Sequence, residues 1–244
     1  MTLTELFPNF VAHPGMSAEE QSWLIARSYG ICNGWRVNFA VNQTGESFGP
    51  HGSSDDVSSD LDRLLLGKLR SLADVIVTSG ETARAEKYRS SKFAPIAIFT
   101  ESGNLDSVPA IQGTQYSTPF VLTPSKNLAE IRSQLADVDV EIRGYDSSTI
   151  WPLEIARLLQ HEGFQSPILE SGLKSLRSFI SSGVVGEICL TVTANNANGL
   201  SARNLSNNHL ASLFGEAEHF ELKNLFVSGN NCFSRWVHNG VAAG

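Results

Sequence analysis

Two short turns carry the residue types best suited to holding an anion. Thr78-Ser79-Gly80-Glu81-Thr82 follows one apolar run and Glu170-Ser171-Gly172 follows another, and each leads into a segment with helical spacing. Small residues between a strand and a helix let phosphate oxygens reach the first amides of the helix, where the dipole favours negative charge. Neither turn completes GxGxxG, so each alone reads equally well as plain turn chemistry. Together they weigh more. In a parallel sheet both fall at the carboxyl edge, as does the end of a first strand at Asn42, and polar loops that converge there make a pocket the default expectation. Arg70 closes a leucine-striped segment, where a guanidinium serves either an anionic substrate group or the C-terminal dipole of its own helix. His51 stands near Ser53, Asp55 and Asp56, but no GxSxG elbow is present and proximity in sequence does not make a triad. The six histidines show no HExxH spacing, and Cys32, Cys189 and Cys232 form no CxxC or Cys/His set, so no metal site is expected.

The elements that must position these residues are legible from periodicity. Gly163 to Thr193 holds a whole unit: a strand at Pro167 to Leu169, the Glu170-Ser171-Gly172 turn, and a helix with Leu173, Leu176, Phe179 and Ile180 on one face. Gly183 stops that helix, and an alternating strand follows through Ile188, Leu190 and Val192. A βαβ unit of this kind implies parallel pairing and a right-handed crossover. Trp35 to Val41 alternates as a first core strand, and Ser59-x-x-Asp62 caps a helix striped by Leu61, Leu65, Leu69 and Leu72. Asp74 to Val77, Pro95 to Phe99, Phe120 to Leu122 and Val138 to Ile142 read as further strands, with helices at Thr82 to Lys87, Asn127 to Leu135 and Ile150 to Glu162. Met1 to Gly30 reads as a loop followed by a short helix capped by the Ser17 to Glu20 box; Pro109 to Ser117 and Asn195 to His209 read as irregular. Ala217 to Val227 and Cys232 to Val237 form a closing hairpin around Ser228 to Asn231. Alternating strands and helices followed by an antiparallel pair give an α/β fold, a mostly parallel sheet covered on both faces with a mixed edge.

Composition bounds the partners. With 244 residues and 41% apolar content the chain suits one domain, 1–244, with 1–34 as an N-terminal embellishment and the core at 35–238. A formal charge of −7 and the absence of any Lys/Arg run argue against nucleic acid or an anionic membrane as partner. No apolar run approaches the roughly 20 residues of a spanning helix, and three odd, distant cysteines read as reduced thiols of a soluble cytoplasmic protein. The closing hairpin would leave a long edge bearing Leu222, Leu225, Phe226, Phe233 and Trp236, which predicts a homodimer.

In order and spacing, several segments resemble the riboflavin-biosynthesis pyrimidine reductases, the reductase half of the bifunctional deaminase-reductase. They are Val37 to Val41 before a glycine, Gly52-Ser53-Ser54 through Asp62-Arg63, Leu69 to Val75 into Thr82 to Glu86, Leu169 to Gly172, Gly183 to Glu187 and Phe233 to Trp236. The resemblance covers about Trp35 to Trp236 and implies a dihydrofolate reductase-like three-layer fold, with NADPH as cofactor and a phosphorylated pyrimidine-like small molecule as substrate. It implies cofactor contacts at Ala40, Val57, Thr82, Glu86 and the helix start of Gly172, Leu173 and Lys174, to which the turns add Thr78, Ser79, Gly80 and Ser171. Substrate contacts are implied at Ser54, Arg70 and Glu170, with Asn42 beside them. Where such reductases have Ser-Leu-Asp-Gly this chain has Asn42-Gln43-Thr44-Gly45, and Glu-Gly-Gly-Pro is Glu170-Ser171-Gly172-Leu173. The catalytic positions then fall on Thr44 and Glu170. Thr44 can hold no negative charge near neutral pH, so a working reductase with an altered substrate and a weak or inactive nucleotide-binding paralogue both fit.

Overall fold

The computed structural model describes residues 2–47, 57–112, 116–146, 151–194, 206–215 and 218–240. Its elements run β1 (Leu3–Phe7), β2 (Val11–His13), α1 (Ala18–Tyr29), β3 (Trp35–Asn42), α2 (Asp60–Arg70), β4 (Val75–Ser79) and α3 (Gly80–Ala85). Then come β5 (Ile96–Phe99), α4 (Pro109–Gln112), β6 (Phe120–Pro124), α5 (Leu128–Gln134), β7 (Glu141–Tyr145) and α6 (Trp151–His161). The chain finishes with β8 (Pro167–Leu169), α7 (Leu173–Ser181), β9 (Val185–Thr193), α8 (Asn207–Phe214), β10 (Phe220–Ser228) and β11 (Asn231–His238). Eleven strands form one sheet in the order β2-β1-β10-β11-β9-β3-β8-β4-β5-β6-β7. Pairings from β9 across to β7 are parallel, and those from β2 across to β9 are antiparallel. This is the expected three-layer α/β arrangement with an antiparallel C-terminal hairpin.

Alternation along the strands divides the core in two. Val37, Phe39 and Val41 of β3, with Ile188, Leu190 and Val192 of β9, face α6, α7 and α8. Ile76, Ile98, Ile168 and Cys189 face α1 to α5 on the other side. In α7 the buried Leu176, Phe179 and Ile180 supply about 1.5–3 kcal/mol of burial each, enough to hold a helix of that length against the sheet. Hydroxyl caps set the helix starts: Ser17 and Glu20 complete the capping box of α1, and the Ser59 hydroxyl accepts the Asp62 amide of α2 at 3.2 Å.

The structure departs from the sequence reading in several places, one being that Pro109 to Ser117, read as irregular, opens with the short helix α4. The N-terminal stretch read as a loop contains β1 and β2, because antiparallel pairing with β10 supplies the hydrogen bonds that its weak alternation did not advertise. The edge of the closing hairpin is therefore covered: Leu3 packs fully buried in the same cluster as Phe226 and Phe233. The end of the Asn/Ser-rich stretch is not irregular but α8, capped by the Ser206 hydroxyl and anchored by buried Leu210, Leu213 and Phe214. Finally, β8 and β9 are parallel but not adjacent. β3 lies between them, so the unit at Gly163 to Thr193 wraps over a strand from earlier in the chain. Ser54, the surrounding His51 to Asp56 and residues 195–205 lie outside the described residues.

Candidate functional site

Because β3, β4, β5 and β8 are parallel, their carboxyl ends share one edge, and the two small-residue turns meet there. Ser79 caps α3: its hydroxyl accepts the Thr82 amide at 3.1 Å and donates to Thr82 Oγ1 at 2.9 Å. Thr82 Oγ1 in turn accepts the Gly172 amide at 3.0 Å and lies 3.4 Å from Ser171 Oγ. The two turns are thus tied together side chain to backbone, and a cleft opens on each side of the tie.

The first cleft, of about 430 Å³, lies between β3, α2, the segment after α3 and the turn after β8. Asn38 and Ala40 line it from β3, and Asp62 and Arg70 from α2. Thr82, Glu86 and Tyr88 follow, then Glu170, Ser171 and Gly172. Its polar wall is a closed cluster. Glu170, only 6% exposed, accepts from Arg70 Nε at 2.9 Å, from Arg70 Nη2 at 2.6 Å and from the Tyr88 hydroxyl at 2.6 Å. Burial opposes the Arg70 charge, but the Glu170 carboxylate and its hydrogen bonds more than offset it, leaving the guanidinium held above its ordinary pKa. Burial, and then the Glu170 charge, push the Tyr88 phenol well above its usual range, so it stays a neutral donor. Asp62 sits beside this wall, and burial raises its pKa against the hydrogen bonds from Ser58 and Thr191.

The second cleft, of about 450 Å³, lies on the other side of the tie. Ser79 at the end of β4 lines it with Gly80, Glu81 and Arg84 of α3, Thr100, Glu101 and Ser102 after β5, and Lys174, Ser175 and Ser178 of α7, while Phe99, Tyr145 and Trp151 form an aromatic wall. No side chain caps the N-terminus of α7, where Gly172 stands at the cap position with φ −63°. The first amides of a helix have no partner within it, and Lys174 and Ser175 of that first turn, with Ser178 beyond them, line the cleft. A methyl carbon at Gly172 would meet only Thr82 Oγ1, at 3.7 Å.

The sites read from sequence thus divide. Ala40, Arg70, Thr82, Glu86, Glu170, Ser171 and Gly172 come together in the first cleft; Ser79, Gly80 and Lys174 face the second. Val57 and Thr78 are buried and line neither, and Leu173 packs against the core. Asn42 and Thr44 form their own turn: Asn42 Oδ1 accepts the Thr44 hydroxyl at 2.7 Å and the amides of Thr44 and Glu46, and Thr44 also donates to Glu46 Oε2 at 3.0 Å. The Asn42 side-chain amide, which donates to Glu46 Oε2 at 2.7 Å, and then the Thr44 hydroxyl hold the Glu46 carboxyl below its usual range. Sequence reasoning missed Tyr88 and read Asp62 as part of a cap and of the resemblance, with no role in a site. Nothing in a polar run such as Glu86-Lys87-Tyr88-Arg89 marks one phenol as a partner of Glu170, which lies 82 residues away.

The sequence model described as RibD C-terminal domain matches residues 37–194. No curated protein matches. Among solved structures the chain is similar to a pyrimidine reductase-like protein from Corynebacterium diphtheriae, at 23% identity over 91% of this chain and 99% of that one, with a TM-score of 0.64. It is also similar to a diaminohydroxyphosphoribosylaminopyrimidine deaminase/5-amino-6-(5-phosphoribosylamino)uracil reductase from Thermotoga maritima. Identity there is 13% over 85% of this chain and 57% of that one, with a TM-score of 0.60. A third is the riboflavin biosynthesis reductase Rib7 of Saccharomyces cerevisiae, at 14% identity over 85% of this chain and 90% of that one, TM-score 0.58. At these identities the likeness is one of fold.

Proposed function

Because the chain belongs to the RibD C-terminal domain family, we propose that it is a pyrimidine reductase that uses NADPH to open the ribose ring of a phosphorylated ribosylaminopyrimidine, or of a close relative, into a ribityl chain. The observation that supports this most is the pair of clefts that meet at the tied turns, one beside the uncapped start of α7 and the other walled by Arg70, Tyr88 and Glu170. When bound, NADPH supplies a hydride. The uncapped start of α7, with the backbone of Leu173 and with Lys174, Ser175 and Ser178, would hold its phosphates, together with Ser79 and Gly80. Ala40, Thr82, Glu86, Ser171 and Gly172, which line the first cleft, would hold the nicotinamide end. Glu170, fixed by Arg70 and Tyr88, orients the pyrimidine, and the basic Arg63, Lys87 and Arg89 of the same cleft attract the substrate phosphate. On this reading the protein works in the cytoplasm as a homodimer. The dimer surface is the end of the β1–β2 hairpin, where Leu6, Phe7, Phe10 and Val11 are exposed, since β1 covers the edge of β10.

A second reading, a nucleotide-binding paralogue with weak turnover, draws on the Thr44 hydroxyl being spent inside its own turn. Two measurements separate the readings. The fluorescence of Trp151, at the second cleft, is expected to respond to NADPH more strongly than to NADH. With 5-amino-6-(5-phosphoribosylamino)uracil present, the bound NADPH should then be consumed. Binding without consumption favours the second reading; no binding overturns both.

A further inference from the structure

Resting on the reductase reading above, we propose that Asp62 is a further catalytic residue, one whose carboxyl reaches the substrate from the floor of the first cleft and supplies the proton that ring opening requires. The side chain is 4% exposed, yet it lines the cleft beside Asn38, Ala40, Arg70 and Glu170. Its place is set from several elements. The Asp62 amide is fixed by Ser59 at 3.2 Å, and Ser58 Oγ donates to Oδ2 at 2.5 Å from the segment before α2. Thr191 of β9 adds a hydroxyl from the sheet. The charged groups that face it are Arg63 on its own helix and Glu170 in the turn after β8. Burial, reinforced by the like charge of Glu170, holds the Asp62 proton above the ordinary carboxyl range; Ser58, Thr191 and Arg63 pull the other way and do not prevail.

The other carboxylate of that wall is committed elsewhere. Glu170 already accepts three hydrogen bonds from Arg70 and Tyr88, which suits an acceptor rather than a donor. Thr44 cannot donate a proton near neutral pH, and its partner Glu46 is held toward the ionised form. Ring opening needs one proton. The anomeric carbon that takes the hydride and its electron pair loses its bond to the ring oxygen, and the pair left on that oxygen takes the proton from Asp62, giving the free hydroxyl. Asp62 is left as a carboxylate, stabilised by the same Ser58 and Thr191 hydroxyls, until solvent returns the proton.

The test compares the natural protein with Asp62→Asn and Ser58→Ala, each bound to NADPH. In Asp62→Asn, kcat is expected to fall by about 10²- to 10⁴-fold with NADPH affinity unchanged. In the natural protein kcat should decline as pH rises through the raised Asp62 pKa. Ser58→Ala removes a donor that steadies the ionised form, so that decline should move to higher pH; this arm holds even if the asparagine variant fails to fold. Independently of turnover, difference infrared titration of the free protein should show a carboxyl band, absent from Asp62→Asn, that ionises above the ordinary range. An Asp62→Asn enzyme with natural kcat and the same alkaline decline, or an Asp62 band that titrates in the ordinary range, overturns this proposal alone. A natural protein that binds NADPH but never consumes it overturns the reductase reading and this proposal together.

Discussion

Arg70 illustrates how one side chain changes meaning once its neighbours are known. From sequence it offered a guanidinium to substrate or to a helix dipole; in the fold it is the fork that neutralises Glu170, which is 6% exposed and 100 residues away. Removing one partner of such a pair leaves a buried charge uncompensated, so Arg70→Ala should destabilise the protein by about 3–5 kcal/mol in urea unfolding, while Tyr88→Phe, which removes one neutral donor, should cost about 1–3 kcal/mol. Equal small losses would mean that Glu170 finds other partners. Asp62 predicts a pH effect of opposite character. A carboxyl whose folded pKa is raised binds more protons in the folded state, so stability is lost as pH rises from the unfolded value near ~4 through the raised one. Asp62→Asn removes that loss. Its stability relative to the natural protein should improve across that window, whereas a parallel shift at all pH values would count against the buried-acid account. Neither effect was legible in sequence, because burial and partners arise from segments far apart in the chain. Thr44 was visible as a missing acid; that its hydroxyl closes on Asn42 and Glu46 was not.

At the level of elements, sequence reasoning reached furthest where the signal was local. The strand, turn and helix around Glu170-Ser171-Gly172 were readable from periodicity and a glycine stop, and they fall as expected at β8 and α7. What periodicity could not show is that β3 inserts between β8 and β9, or that β1 and β2 exist, since both depend on pairings across the whole chain. The α8 helix was hidden by its Asn- and Ser-rich start, the composition of a loop, although Ser206 serves there as a cap. The tie between the two turns yields a sharp prediction. Gly172 has an ordinary φ of −63°, and an added Cβ would meet only Thr82 Oγ1, at 3.7 Å, so Gly172→Val should fold. A branched side chain at the mouth of α7 would still stand where a diphosphate approaches the helix amides. NADPH affinity is therefore expected to fall by at least tenfold with the unfolding midpoint nearly unchanged; unaltered affinity in the folded variant would place the dinucleotide elsewhere. A control lies at the opposite edge of the sheet, near the amino ends of β3 and β9, where Glu187 joins Arg36 at 2.6 Å and Arg235 at 2.8 Å. Glu187→Gln should lower stability and leave nucleotide affinity alone.

On the scale of the whole molecule, the proposed dimer turns on what stands at the end of the eleven-stranded sheet. The expectation of a dimer drew on an open β10 edge, but β1 closes that edge with Leu3 fully buried, and the strand left at that end is β2. Only three residues long, β2 offers few backbone groups for pairing, and the turn end of the β1–β2 hairpin is apolar: Phe10 is 80% exposed, Phe7 41%, Val11 40% and Leu6 36%. Contiguous exposed side chains of this kind mark an association surface more often than a solvated one. In the proposed homodimer this patch would meet its own copy about a twofold axis. Phe10→Ser with Val11→Lys removes apolar area and adds a charge to the edge, a device that discourages strand-to-strand contact. Since both side chains are exposed, the variant should keep its unfolding midpoint. Sedimentation velocity at micromolar concentration should show the natural chain as a dimer and the variant as a monomer. A natural chain that sediments as a monomer would refute the dimer, and a variant that stays dimeric would move the interface away from the hairpin.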